Sequence, residues 1–278
     1  MNPSDHDEAR ERLEIDLLLE AIQRAYGYDF RGYAHASLRR RLWHRVYGES
    51  LQTLSGLQER ILHEPASMDR LLRDLSINVT EMFRDPSFFV ALRERVFPLL
   101  RTHPFVRIWN AGCSTGEEIY SLAIALQEDD LLDRTRIYAT DINDAALERA
   151  AAGTFPLERM QRYTENYLRA GGREAFSSYY ATDGDSARFS PELVRNMVLA
   201  QHNLVTDGSF NEFHLIVCRN VMIYFGSALQ EEVLQLFGDS MTRSGILALG
   251  RKESIRRSRH ASEYEPLDET EKIFRRVV

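Results

Sequence analysis

The sequence predicts an α/β protein in which a doubly wound, mostly parallel sheet follows an all-helical N-terminal region. Three observations predict it. The first eighty or so residues show helical periodicity and no strand pattern. From about residue 105 onward, short apolar β-rich runs alternate with helical segments. The first of those runs ends in a glycine turn that leads straight into a helix.

In chain order, Glu14 to Tyr26 carries Ile15, Leu18, Leu19 and Ile22 at helical spacing, an amphipathic stripe. GYDFRGY interrupts it, and Ser37 is the expected N-cap of a second helix, SLRRRLWHRVYG, closed by Gly48. TLSGLQERILHEP and SMDRLLRDLS predict two more helices. VRIWNAG then reads as a strand, EEIYSLAIALQEDDLL as a helix, RIYATDIN as a second strand and DAALERAAAG as a second helix. NMVLAQHNL, FHLIVCRNV and ILALG read as buried strands, with the helix LQEEVLQLFGDSM between the last two. Between Thr154 and Asn196 the pattern changes. FSSYYATDGDSARFS places aromatics around an Asp-Gly turn, which predicts a small antiparallel insertion. The expected organisation is a helical docking domain over 1–80 and a cofactor-binding domain over 81–278, with the β insertion at about 155–200.

The 278 residues are 44% hydrophobic and 28% charged, the balance of a globular chain. No run of about eighteen apolar residues offers a membrane span. The N-terminus MNPSDHDEARERLEID is acidic and polar, unlike a secretory signal. Cys113 and Cys218 cannot supply a disulfide framework, so a reducing cytoplasm is expected. The net charge of −7 argues against a general nucleic-acid binder. Only Lys252 and Lys272 among the 35 basic residues are lysines. Genomic base composition accounts for such a bias by itself; bidentate recognition of carboxylates is the functional alternative.

The turn IWNAGCSTGEE puts Gly112 and Gly116 before a helix, where backbone can approach a ligand. Asp141 closes the next strand and can accept both hydroxyls of a ribose. Together these suggest a nucleoside cofactor, although such turns also occur in α/β domains with no ligand. The dinucleotide pattern G-x-G-x-x-G is missing, and Glu117 follows the second glycine directly. A carboxylate there repels a pyrophosphate and suits a cation. S-adenosylmethionine fits, with an ammonium, a sulfonium and no phosphate. Alone, Glu117 is equally well a solvated first-turn acid favoured by the helix dipole. The eight histidines show no metal-ligand spacing, and no metal is expected.

Three segments carry a family resemblance: SINVTEMFRD at 76–85, IWNAGCSTGEEIYSLA at 108–123 and IVCRNVMIYF at 216–225. With them, most of the chain resembles the CheR family, S-adenosylmethionine-dependent methyltransferases that esterify glutamates on bacterial chemoreceptors. The insertion around 170–195 and GRKES, where the family often has a Gly-His-Ser-Glu-like sequence, match least. The resemblance implies that Asn78, Thr80 and Arg84 line the cofactor cleft and that Glu117 and Asp141 hold the amino-acid end and the ribose. It implies that Asn203 and Leu204 border the adenine, that Asn220 and Val221 line the cofactor site, and that Tyr224 faces the transferred methyl. Taken singly, Leu204 and Val221 read as core, Asn78 as a helix cap and Tyr224 as a packed aromatic.

A glutamate carboxylate is already ionised at neutral pH, so the reaction needs alignment rather than a general base. Arg84 or Tyr224 is expected to hold that carboxylate. Between Arg31 and Arg45 stand five arginines and no acid; Arg39, Arg40, Arg41 and Arg45 lie on the second helix. Arg40 with His44 and Arg41 with Arg45 make unfavourable i,i+4 pairs. The resemblance implies that this helix docks the glutamate-rich methylation helices of a chemoreceptor; pairing with acids elsewhere in the fold is the alternative. A receptor C-terminal peptide bound through the β insertion is a further implied partner. No nucleic acid and no membrane insertion are expected, and the chain is expected to be a monomer. S-adenosylhomocysteine, the product, is expected to bind the same cleft. Two other classes stay open: a methyltransferase of another substrate class, and a cofactor-binding signalling module without turnover.

Overall fold

The structure, a computed structural model, describes residues 3–76 and 80–278, with side chains from residue 7 onward. The chain forms two compact units, Met1–Ile77 with Tyr224–Glu232, and Asn78–Ile223 with Val233–Val278.

The first unit is built on α1 (Pro3–Tyr26), α2 (His35–Gly48), α3 (Leu54–His63) and α4 (Pro65–Leu75). The predicted stripe Ile15, Leu18, Leu19 and Ile22 is buried, as are Leu38, Leu42 and Val46 of α2. Thr53 caps α3, its Oγ1 accepting from Gly56 N at 3.0 Å, and Pro65 opens α4, where a missing N–H costs nothing. Ser37 is not the cap of α2. The helix starts at His35, after Ala34, and no side chain caps it. The reason is tertiary: Ala34 N donates to Tyr224 O and Gly226 N to Gly32 O, both at 2.8 Å, so a strand-like pairing fixes where α2 begins. Glu49 ties three helices together, accepting from Arg70 of α4 (2.5 and 2.9 Å) and from Arg60 of α3 (3.2 Å) just past the end of α2. Hydrogen bonding to Arg70 outweighs burial and pulls its carboxyl down to about 2.

The second unit begins with α5 (Pro86–Ala91), a π-helical turn (Leu92–Val96) and α6 (Phe97–Leu100). It continues with β1 (Val106–Ala111), α7 (Glu117–Glu128), β2 (Thr135–Asp141), α8 (Asp144–Ala152), β3 (Thr154–Pro156) and α9 (Met160–Arg169). β4 (Tyr180–Asp183), β5 (Ser186–Phe189), β6 (Met197–Gln201), β7 (Phe213–Cys218), α10 (Ser227–Asp239), β8 (Met241–Leu249), β9 (Tyr264–Asp268) and β10 (Ile273–Arg276) follow. The main sheet runs β6-β2-β1-β7-β8-β10-β9. Its first five strands are mutually parallel, while β10 is antiparallel to both its neighbours. Buried Val, Ile and Ala runs suit strands covered on both faces.

The expected insertion is present as a three-stranded antiparallel sheet, β3-β5-β4, turning at Gly184 with φ 55°. NMVLAQHNL supplies β6, a strand of the main sheet, so that part of the range 155–200 does not belong to the insertion. The hairpin β9–β10 has no counterpart in the sequence reading. YEPLD and IFRR are short, charged and, in β9, interrupted by Pro266, which hides the alternation that marks a strand.

Candidate functional site

The chain moves outward from β1 through β2 to β6, then returns to the other side of β1 to lay down β7 and β8. In an open α/β sheet, the crevice for a ligand lies at the carboxyl ends of the strands where the order reverses, here between β1 and β7. Gly112 follows β1, Asp141 ends β2, Asn203 and Leu204 follow β6, and Asn220 and Val221 follow β7. These predicted residues therefore share one edge of one sheet.

The turn after β1 is tightly determined. Gly112 and Gly116 have φ of 80° and 100°, values that favour glycine. A Cβ at Gly112 would meet Val221 Cγ2 at 2.5 Å, and one at Gly116 would press on Ala150 of α8 at 3.0 Å. The glycines thus let β1 approach the β7 turn and let α7 pack on α8. Gly112 N and Cys113 N donate to Thr140 O at 2.8 and 2.9 Å. Ser114 N donates to Asp141 Oδ2 at 2.9 Å and Asn143 N to Oδ1 at 3.0 Å. Asp141 is almost fully buried; desolvation raises its pKa against these N–H bonds. With Ile142 as a further backbone donor, the carboxylate stays held as an acceptor at the end of β2, where ribose hydroxyls can donate to it.

Glu117 opens α7 and is 3% exposed. Thr115 Oγ1 donates to it at 2.6 Å and Tyr163 OH at 3.4 Å, while its nearest cation, Arg159, stands 3.7 Å off and half exposed. Desolvation outweighs these partners and raises its pKa. A buried carboxylate without a close cation suits a ligand ammonium. Glycine turn, ribose-ready Asp141 and cation-seeking Glu117 therefore fit S-adenosylmethionine.

Asn203 spends its side chain on its own loop: Oδ1 accepts from Val205 N at 3.0 Å. Leu204 is half-buried. Both follow β6 directly, but their positions come from that local turn rather than from the glycine turn.

Arg84 sits between two residues in the left-handed region, Phe83 (φ 51°) and Asp85 (φ 54°), conformations costly for non-glycine residues. Phe83 N is held by Ser121 Oγ of α7 at 2.8 Å. Arg219, 1% exposed at its side chain, pairs with Asp85 at 2.7 Å and Glu118 at 2.6 Å and donates to Arg84 O at 3.3 Å. Its guanidinium also covers the Phe88 ring at 4.0 Å. Thr80 is half-buried, and Asn78 lies outside the described residues.

Asn220 takes φ 62°, and the turn it starts closes on Glu253. Sequence reasoning missed both Arg219 and Glu253. Arg219 stands inside CRNVMIYF and could have been flagged as a buried charge. Glu253 lies in GRKES, which departs from the family's Gly-His-Ser-Glu-like sequence at Arg251 and Lys252 and keeps its glycine and its glutamate.

In the first unit, Tyr224 is half-buried, and Arg41 lies over its ring at 4.4 Å. Arg41 is buried, donates to Leu75 O, and leaves Nη2 without a hydrogen-bond partner among the described residues. For Arg39 and Arg45 the structure has the alternative, pairing with acids elsewhere in the fold. Arg39 pairs with Glu11 at 2.8 Å, and Arg45 pairs with Asp74 at 2.6 Å and Glu49 at 3.5 Å. These acids lie on α1, on α4 and just after α2, brought there by helix packing rather than by sequence proximity. Arg40 alone of the four is exposed with no ion pair among the described residues.

Cys113 in the glycine turn and Cys218 at the end of β7 are buried free thiols, and burial pushes both well above the usual thiol range. A polar cleft of about 560 Å³ at the far end of α7, lined by Gln127, Glu128, Arg173 and Tyr179 among others, contains none of the predicted site residues. Among the described residues, no His, Cys, Asp and Glu group of three or more is placed to hold a metal, and no helix is long and apolar enough to cross a membrane.

Comparison with known sequences gives two family matches. "CheR methyltransferase, all-alpha domain" matches residues 13–76, and "CheR methyltransferase, SAM binding domain" matches residues 78–272. A Pseudomonas putida protein carrying the name Cher3 is 48% identical over 264 residues, covering 95% of this chain and 97% of its own length. A "chemotaxis protein methyltransferase" of Listeria innocua is 31% identical over 247 residues, covering 87% and 91%. One of the same description from Salmonella typhimurium is 31% identical over 197 residues, covering 68% and 65%.

Proposed function

Because the chain belongs to the CheR methyltransferase family, whose S-adenosylmethionine-binding domain it carries, we propose that it esterifies glutamate side chains of chemoreceptors. The observation that carries this reading is the pairing of both family domains in one chain with a cation-seeking acid, Glu117, at the crevice of the sheet. S-adenosylmethionine supplies an electrophilic methyl, and the rest falls to the protein.

Glu117 receives the ammonium of the cofactor's amino-acid end, and Asp141 the ribose hydroxyls. The turn Asn220–Val221, packed on Gly112, shapes the wall of the crevice. The glutamate nucleophile arrives ionised, so the work of the site is orientation and exclusion of water. Arg84, clamped by its strained neighbours, and Tyr224, set by Arg41, are the two groups proposed to orient the carboxylate. Arg40 is the remaining cation of α2 proposed to meet an acidic receptor helix.

The test is incubation with labelled S-adenosylmethionine and a purified receptor signalling fragment. Base-labile methyl ester is expected, and Arg84→Ala and Tyr224→Phe should each reduce it at least tenfold at saturating cofactor, with cofactor affinity preserved in Tyr224→Phe. Cofactor binding with no ester formed on any receptor would reduce the chain to a signalling module.

A further inference from the structure

We propose that Glu253 is a positioning residue: its carboxylate gathers the amides of the turn after β7 and so fixes the wall of the crevice. This rests on the methyltransferase reading for its consequence on rate, though its geometry stands apart from it.

Glu253 is 5% exposed. Its Oε1 accepts from Val221 N at 2.9 Å and Ile223 N at 3.3 Å; Oε2 accepts from Asn220 N at 3.1 Å and Gly250 N at 2.5 Å. Four donors on two oxygens use the carboxylate's acceptor capacity, so Glu253 has nothing left to offer a substrate. Its role is structural toward other groups, and those groups are the ones at the switch point of the sheet.

The amides of Asn220, Val221 and Ile223 form a concave nest, a shape that ordinarily binds an anion from solution. Here the anion is part of the chain. Without it, three part-buried N–H groups would lose their carboxylate acceptor, and the left-handed conformation of Asn220 would lose what holds it. The nest is also built from the other side. A Cβ at Gly250 would come within 2.7 Å of Glu253 Oε2 and 2.9 Å of Asn220 N, so only glycine lets β8 end so close to that turn. Glu253 N returns a bond to Gly250 O at 2.8 Å, closing the loop on itself. The held turn in turn presents Val221 to Gly112, so one carboxylate after β8 sets the fit of the loops after β7 and β1.

Glu253→Gln keeps the shape but replaces one acceptor oxygen by an NH2 facing two N–H donors. The full-length variant is measured for methyl-ester kcat, KM for the receptor fragment, S-adenosylhomocysteine affinity by calorimetry, and Tm. Positioning predicts kcat down at least tenfold and the S-adenosylhomocysteine Kd up at least threefold, with KM for the receptor within twofold, well below the variant's Tm. A folded variant with kcat and Kd within twofold of the unaltered protein overturns the proposal. If Glu253→Gln fails to fold, amide exchange in the unaltered, cofactor-free protein decides. The amides of Asn220, Val221, Ile223 and Gly250 should exchange as slowly as those inside β7, and rapid exchange there overturns the proposal. Should the unaltered protein form no ester at all, the methyltransferase reading falls, while calorimetry and exchange still judge Glu253.

Discussion

The two ends of α7 present the same residue in opposite states. Glu117 at the first turn and Glu128 at the last are both buried, their side chains 4% and 2% exposed. Desolvation is the largest influence on each and drives both pKa values upward. At Glu128 it is overcome: Tyr167 and Tyr179 hydroxyls, the Arg173 N–H and the Arg93 guanidinium converge on the carboxylate, which ends below the usual range. At Glu117 it is not overcome, because the partners are a threonine, a distant tyrosine and a distant arginine. A carboxylate surrounded by its own donors is architecture. One left short of them is a receptor for somebody else's.

The most forceful way to break the comparison is Glu128→Ala. Taking away one of the two carboxylates that hold Arg93, whose other partner is Asp129, and the acceptor shared by the Tyr167 and Tyr179 hydroxyls should cost about 3 kcal/mol and lower Tm by roughly 10 °C, with S-adenosylhomocysteine affinity retained by the folded fraction. Thermal melts and calorimetry check both halves. Next comes Glu117→Gln, for which the pattern inverts: affinity should fall about 10- to 100-fold while Tm holds or rises. An unchanged Kd would make Glu117 as structural as Glu128.

The pH dependence sharpens the point. A carboxyl with a raised folded-state pKa stabilises the free protein at low pH, and that stability is lost as pH rises through the raised value. Binding of an ammonium runs the other way, because it needs the ionised form. Affinity for S-adenosylhomocysteine should therefore decline as pH falls from about 7.5 toward about 5, and Glu117→Gln should flatten that decline. Thr115→Ala removes a stabilising hydroxyl from Glu117 and should weaken binding only about fivefold, about 1 kcal/mol. The smallest effect belongs to Arg40→Glu, at an exposed site: KM for the receptor fragment should rise a few-fold at most, more at low salt. No change in KM at low salt would remove α2 from docking.

Periodicity carried the fold a long way. Strands alternating with helices, and the Asp-Gly turn of the insertion, follow from local pattern, and so do Gly112, Glu117 and Asp141, which belong to one strand–turn–helix and the strand beside it. Non-local partners were illegible. Arg39 finds Glu11 across 28 positions, and Arg45 finds Asp74 across 29, so spacing leaves docking and internal pairing both open for the arginine run. Tyr224 follows a main-sheet motif in sequence yet groups with the helices, because residues 32–34 pair with it. Glu253 had only a faint signal, since Gly250 and Glu253 keep the first and last residues of the family's Gly-His-Ser-Glu-like sequence; its role lies in four amides that no spacing rule connects to it.

The two cysteines have a practical consequence. Both thiols are shut away from solvent and held protonated, so neither offers the thiolate that alkylating reagents and peroxides attack. The protein should tolerate oxidants that silence thiol-dependent enzymes. A single cysteine introduced on its surface should take a fluorophore or spin label selectively, with Cys113 and Cys218 left in place.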